Sequence, residues 1–515
     1  MRFLFLIMFM RKLFVSSFIL STLSASALFG ADNYFTGTTD TWGASSAVGN
    51  WSLGARASDD DLIFDGTRYD DYATATKWDI GYWVNTGLAA QYKEANSITI
   101  QNLHNANNEK MDVYVSANAS AGTNLIHTSK GALTFVTDSY NSSFTWQNIE
   151  GKTLNITLGG INMGSAESTS ADGGTLCLGG NSNVSALRST TIRGLSVSGD
   201  INLYGNSTLK LNVGLMGEAT ESNGIFAPGS PTTKATGSLN MYKDANSVNA
   251  PTVILNNASV DGTASKTGER LHTVTDVAGI QGYGTITMDT GALAGHAYLV
   301  VRNAKDMQFY GTIIDDKQAG RGNGGIQVMV TNGNTGTQTI GDINISKNLE
   351  IRGKLAANIT NANRLIIGGN GVVSSFEVLS ANSKFGSANV ASMDVAVNAS
   401  RLIMDIDGTQ QDIVNVKGNV NVNSKTLYID FSSLANIEQD AEYRLINYES
   451  MADRTTIDCF QIGNIIEGYE GNLFLRDSAL WVQFTTVLPS VPEPAEWAMI
   501  LGSLALGLAV YRRRK

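Results

Sequence analysis

Leu195-Ser196-Val197, Ile201-Asn202-Leu203 and Leu209-Lys210-Leu211-Asn212-Val213 each place an apolar residue at every second position. Successive side chains of an extended chain point to opposite faces, so this spacing gives half-buried strands with Leu, Ile and Val on one side. The pattern runs outward in both directions, through Leu154-Asn155-Ile156-Thr157-Leu158 upstream and Ile343-Asn344-Ile345 and Leu349-Glu350-Ile351 downstream. Gly159-Gly160, Asn181-Ser182-Asn183 and Gly368-Gly369-Asn370 supply turns between the pieces, and no long amphipathic helix interrupts residues 97–400. The reading is an all-β chain folded as a β-solenoid, like a parallel β-helix, in which each rung stacks on the last and inward apolar residues form continuous ladders. The spacing drifts and fixes no period. A series of β-sandwiches would use the same pattern; against it stand the lack of prolines at strand edges and of domain-sized blocks.

Composition agrees. The chain of 515 residues has 53 Gly but only 6 Pro, and 16% charged residues. Abundant Gly with Asn, Ser and Thr, and with little Pro, predicts tight turns between short strands rather than disorder. Cys177 and Cys459 are the only cysteines and are read as small buried residues, which excludes a disulfide framework.

Both ends carry address-like segments. Arg11-Lys12, the apolar run Leu13 to Leu23 and the small-x-small triplet Ala25-Ser26-Ala27 form a secretory signal peptide, with cleavage expected after Ala27 and Met10 a more regular start than Met1. At the other end Pro492-Glu493-Pro494 precedes an apolar run from Trp497 to Tyr511 and the basic tail Arg512, Arg513, Arg514 and Lys515. Prolines lose hydrogen bonds inside a helix, so the triplet is expected to be extended and accessible. As a helix the apolar run covers about 22 Å against a hydrocarbon core of about 30 Å, which makes it a marginal transmembrane anchor. The basic tail is expected to stay cytoplasmic, leaving the bulk of the chain outside. Removing the leader takes Arg2, Arg11 and Lys12, and cutting after Pro494 takes four basic residues and Glu496. That leaves 29 basic against 45 acidic residues, a net charge near -16. Such a surface disfavours nucleic acid and bare anionic membrane as partners, and disfavours direct binding of a polyanionic polysaccharide unless cations bridge the two.

The order of Pro-Glu-Pro, apolar helix and basic tail resembles the PEP-CTERM sorting signal of Gram-negative bacteria. That resemblance implies export, recognition by an exosortase-type membrane processing enzyme, and association with exopolysaccharide and biofilm. A second resemblance rests on Thr41-Trp42-Gly43, Gly49-Asn50-Trp51-Ser52 and Asp59-Asp60-Asp61-Leu62-Ile63-Phe64-Asp65-Gly66, and on the block from Arg401 to Tyr448. These segments look like the opening cap and a terminal block of exported proteins with autotransporter-associated β-strand repeats. No run of amphipathic strands for a membrane barrel follows, so the chain is not expected to export itself. The expected organisation is a signal peptide (1–27), an aromatic N-terminal cap (28–96), the solenoid (97–400), a C-terminal β block (401–486), a linker with the Pro-Glu-Pro motif (487–494), and an anchor helix with its basic tail (495–515).

Chemistry is sparse. His104, His127, His272 and His296 lack metal-ligand spacing and read as lone loop or surface residues. Ser207-Thr208-Leu209-Lys210 lies in an alternating strand where a Ser-x-x-Lys nucleophile needs a helix, and Lys266-Thr267-Gly268 has no Ser-Asp-Asn partner. Gly151-Lys152-Thr153 lacks the preceding Gly of a phosphate loop. Asp59, Asp60, Asp61 and Asp65, and Asp405, Asp407 and Asp412, contain the oxygen ligands calcium uses but match no calcium loop, and read as solvated turn acids. No cofactor is expected. The sequence therefore favours an exported, non-catalytic surface or matrix protein. A secreted β-helix polysaccharide lyase or glycoside hydrolase is the alternative, and it would need charged residues concentrated along one series of strands.

Overall fold

The computed structural model describes residues 31–513 except 37–40, 43–49, 54–56, 70, 83–93, 118–123, 148–152, 170, 179–194, 198, 212–214, 217–236, 257–271, 290–295, 304, 316–324, 330–335, 370, 380–384 and 488–493. One coil shows the plan. Ala132–Phe135, Ser143–Gln147 and Thr153–Leu158 lie on three successive faces, and Gly160–Met163 then returns to pair in parallel with Ala132–Phe135. Repetition of this coil makes a β-solenoid with three parallel faces. Among the described residues, thirty-five strands form one continuous sheet and five form another. The faces merge where corners tighten: Lys354–Ile367 is a single strand that contributes to all three.

Period-two alternation is what closes the core. On the second face Trp78, Val113, Phe144, Leu176, Leu209, Val253, Ile286, Ile313, Ile343, Ile359, Ala388, Val414 and Ile446 stand one above another in register. All are buried. Each large member removes enough apolar surface from water to contribute about 1.5–3 kcal/mol. The first face carries a matching column of Leu62, Ile98, Leu133, Ile161, Ile201, Leu239 and Ile280.

Gln338 breaks the inward pattern and explains itself. The strand Ile280–Gly282 meets the next rung only at Gly282, which leaves Ile280 without a strand partner on that side. Gln338 Nε2 donates to the Ile280 carbonyl at 2.8 Å, and Oε1 accepts from the Ile280 N–H at 3.0 Å. A buried amide thus replaces the missing backbone bonds, as burial of polar groups requires. Gly282 beside it has φ +97°, and a Cβ there would lie 1.8 Å from the Met241 carbonyl oxygen, so no other residue fits this close approach.

Outward residues bind rung to rung. Asn202 Nδ2 donates to Asn162 Oδ1 at 2.9 Å, Asn240 to Asn202 at 2.8 Å, and Gln281 Nε2 to Asn240 at 2.8 Å. Asn389, Asn415 and Asn447 repeat the device further along. Carboxylates do similar work: Asp112 accepts from Ser143 N and Oγ, Asp315 from Ser346 N and Oγ, and Asp306 from Thr337 N.

The first rungs are filled with aromatics. Trp42 lies 4.8 Å from Trp146 and 4.9 Å from Phe64, and Phe35 lies 5.1 Å from Trp51 and 5.6 Å from Trp78. At the far end the direction of pairing reverses. Ala479–Thr486 runs antiparallel both to Glu442–Asn447 and to Tyr469–Arg476, and its Phe484 packs on Phe431, Tyr443 and Tyr469. Asp477 and Ser478, both at positive φ, make the tight turn that joins the hairpin.

Several boundaries differ from expectation. The parallel ladders cross residue 400 unbroken and continue to Phe460–Ile462, so most of 401–486 is solenoid and the closing element is the hairpin Tyr469–Arg476/Ala479–Thr486. The aromatic N-terminal strands likewise pair as rungs. The C-terminal helix, α1, spans Pro494–Arg513, so Pro494 is its first residue rather than part of an extended linker. A proline costs nothing at that position, because its missing N–H would have had no intrahelical partner. Among the described residues no helix is long and apolar enough to cross a membrane, which corrects the expected transmembrane anchor. The apolar run of α1 is interrupted by Gly502, Ser503 and Gly507 and gives way to Arg512 and Arg513.

Candidate functional site

The clearest sequence motif lies in the end segments. Ala25 and Ala27, Pro492 and Glu493, and Arg514 and Lys515 lie outside the described residues. Pro494, Arg512 and Arg513 belong to α1. Met499, Leu501, Leu504, Leu506, Leu508, Val510 and Tyr511 are between 51% and 71% exposed, and with Ala498, Ala505 and Ala509 they surround the helix. A helix apolar all round belongs in an apolar environment, and the β body does not supply it.

The other candidates are mostly absorbed by the fold. His127 is buried against Trp42 and Trp146, and His104 lies among Tyr72 and Tyr140, so neither is a surface residue on its own. His272 and His296 are register partners one rung apart, a pairing that a separation of 24 positions conceals. Ser207 is buried in the strand Asn206–Leu211, as the alternation requires, while 266–268 lie outside the described residues. Cys177 and Cys459 are both buried, and neither is in a disulfide.

Asp59 is an exposed turn acid, as expected, but several of its partners in the acidic clusters are clamps. Asp60 accepts from Asn33 Nδ2 and Ala57 N, and Asp65 from Thr67, Gln101 and Asn102. Asp407 accepts from Asn436 Nδ2. Among the described residues no group of three or more His, Cys, Asp or Glu is placed to hold a metal ion.

Asp412 stands apart. It is 1% exposed, and its carboxylate accepts from the N–H groups of Gly386 and Asp405, each at 2.7 Å. Burial, joined by the charges of Asp405 and Glu377, pushes its pKa up to about 7. The folded protein therefore holds this proton more tightly than the unfolded chain, whose aspartates titrate near 3.9. The sign follows: the stabilising contribution of the protonated group is complete below about pH 4, declines as pH rises, and is gone above about pH 7. Urea midpoints of the wild type and Asp412→Asn should therefore converge as pH rises from 4 to 7, or reverse in order; a gap independent of pH contradicts the assignment.

On the first face, near the C-terminal end of the solenoid, a cleft of about 350 Å³ is lined by Thr337, Lys354, Leu355, Ser375, Glu377, Arg401, Ile403, Asp430 and Asn464. Alternation builds it from two outward columns. Thr337, Lys354, Ser375, Arg401 and Tyr428 are successive register partners, as are Glu377, Ile403 and Asp430. Arg401 Nη1 donates to both oxygens of Asp430, at 2.9 and 2.6 Å, and its guanidinium lies 5.4 Å from the centre of the Tyr428 ring. Asp430 also accepts from Asn464 N at 2.7 Å, which fixes the loop at the edge of the cleft. Glu377 differs: burial, with the Asp405 charge, holds its carboxyl above the usual range. Lys354 is exposed at the same opening. Folding thus gathers a charged set along one series of strands that the sequence does not show.

Compared with models of known protein families and with curated proteins, the chain matches none of either.

Proposed function

We propose that the chain is an exported, non-catalytic β-solenoid of the cell surface or extracellular matrix, associated with polysaccharide, adhesion or biofilm. In this reading its C-terminal segment is a PEP-CTERM-type sorting signal, read by an exosortase-type processing enzyme. The observation that carries the reading is α1. Its exposed apolar side chains next to a Pro-Glu-Pro triplet are of no use to the closed β body but suit a segment that enters the bilayer without completing a span. Both ends of the solenoid core are covered, so the body keeps its fold when the tail is removed. The test is transplantation. Residues 487–515 fused to an unrelated exported reporter should direct that reporter to the fraction where the native protein is found, with Pro492→Ala/Pro494→Ala blocking the effect. A reporter that stays in the periplasmic fraction with either tail sinks the proposal.

One observation favours a second reading, the β-helix lyase or hydrolase. Glu377, with its raised pKa, is the kind of carboxyl that donates a proton to a leaving group. Asp430, the other acid of the cleft, is already occupied by Arg401 and Asn464. Release of new reducing ends or unsaturated products from a polysaccharide, abolished by Glu377→Gln, would establish that reading.

A further inference from the structure

The cleft on the first face is built, not incidental. Its wall is the Arg401–Asp430 pair, tied to Asn464 and backed by Tyr428; its floor includes Ile403; its rim carries the hydroxyls of Thr337 and Ser375. The lining therefore offers apolar contact together with planar and hydroxyl hydrogen-bonding groups. This is the combination that a sugar ring, with its C–H faces and equatorial hydroxyls, can satisfy.

Charge narrows the class. Asp430 neutralises Arg401 directly, which leaves the exposed Lys354 as the cation at the opening. The whole chain carries a net charge of -10. A polyanion is repelled at longer range by this net negative charge, and one exposed lysine beside Glu377 and Asp430 is a small counterweight. Shape narrows it further. The column Thr337, Lys354, Ser375, Arg401 advances by one rung per residue, about 4.8 Å each, which is close to the length of one pyranose unit. A chain of sugars laid along the solenoid axis meets a new polar residue at each unit.

We propose that this cleft binds a neutral oligosaccharide lying along the solenoid axis, with Glu377, Lys354 and Ser375 hydrogen-bonding its hydroxyls. The Arg401–Asp430 pair shapes the wall and does not contact the ligand through a free charge. This inference deepens the polysaccharide-associated reading and supplies its ligand class; it does not depend on how the C-terminus is processed.

Calorimetric titration of the full chain, kept in mild detergent, with cellohexaose, mannohexaose, chitohexaose and hexagalacturonate tests it. At least one neutral hexaose should bind. Glu377→Gln should weaken that binding by about tenfold, the loss of one charge-assisted hydrogen bond. Ser375→Trp, which fills the cleft from an outward position, should abolish it, and Asn415→Ala on the second face should leave it unchanged. Thermal melts of each variant separate loss of the site from loss of the fold. Absence of binding to every neutral hexaose, binding of hexagalacturonate alone, or undiminished binding by a folded Ser375→Trp overturns the proposal. Any of these could occur while the C-terminal tail still sorts the protein, so the two readings fail separately.

Discussion

Trp42→Ala is expected to cost about 3–5 kcal/mol and to open the N-terminal rungs ahead of the rest. Trp42 is fully buried at the meeting point of Trp51, Phe64, His127 and Trp146, so its truncation leaves a cavity bounded by rings that cannot collapse together. In a stacked array each rung touches only its neighbours, and the damage should stay local. Hydrogen exchange should accelerate in Asp61–Asp65, Lys77–Tyr82 and Ser97–Gln101 and remain slow in Ser400–Asp407. Uniform acceleration along the chain would mean that the solenoid unfolds as one unit. No acceleration would mean that the aromatics do not form the cap.

Phe484→Asp attacks the other end. Phe484 is fully buried in the closing hairpin, 5.1 Å from Phe431 and 5.7 Å from Tyr443, and a carboxylate there has no partner. An unpaired buried charge typically costs 3–5 kcal/mol, so the hairpin should undock rather than accommodate it. Undocking uncovers the edge of Glu442–Asn447 and the apolar end of the core, which is the template for strand-to-strand association. Light scattering should therefore show a monomer for the wild type becoming concentration-dependent oligomers for the variant. A variant that stays monomeric and equally stable would show that the hairpin is not the element that closes the stack.

How much of this was legible beforehand depends on distance along the chain. Alternation in Leu209-Lys210-Leu211 or Ile343-Asn344-Ile345 is local, and it identifies strands and their buried faces correctly. The rung period is not local. Ile340 and its partner Ala357 are 17 positions apart, whereas Leu239 and Ile280 are 41 apart, because corners accept loops of any length while the stacked faces stay fixed. The same freedom hides the cleft. Lys354, Ser375, Arg401 and Tyr428 stand one rung apart in space but 21, 26 and 27 positions apart in sequence, so no spacing rule links them. Trp146 illustrates the point at the N-terminal end. Nothing near it in sequence ties it to Trp42, yet their rings are 4.8 Å apart. Conversely, the Pro-Glu-Pro motif and basic tail are contiguous and readable, but the extended geometry expected of Pro494 gave way to a helix start, where its ring fits.

The acidic composition also changes meaning once the fold is known. Asp112, Asp306 and Asp315 each accept from a backbone N–H, so these carboxylates hold rungs and corners together instead of recruiting a cation. Hydrogen bonds to charged acceptors contribute about 1.5–3 kcal/mol each, which accounts for their use in a fold with few ion pairs among its described residues.

In the function proposed above, a closed β-solenoid carries a separable C-terminal sorting segment. Mass spectrometry of the C-terminus of the mature protein, recovered from the envelope and from the culture medium of its native host, tests this most directly. A terminus at or near Pro494, with α1 gone and the body still folded, is the result expected. An intact chain through Lys515, found only in inner-membrane fractions, would contradict it.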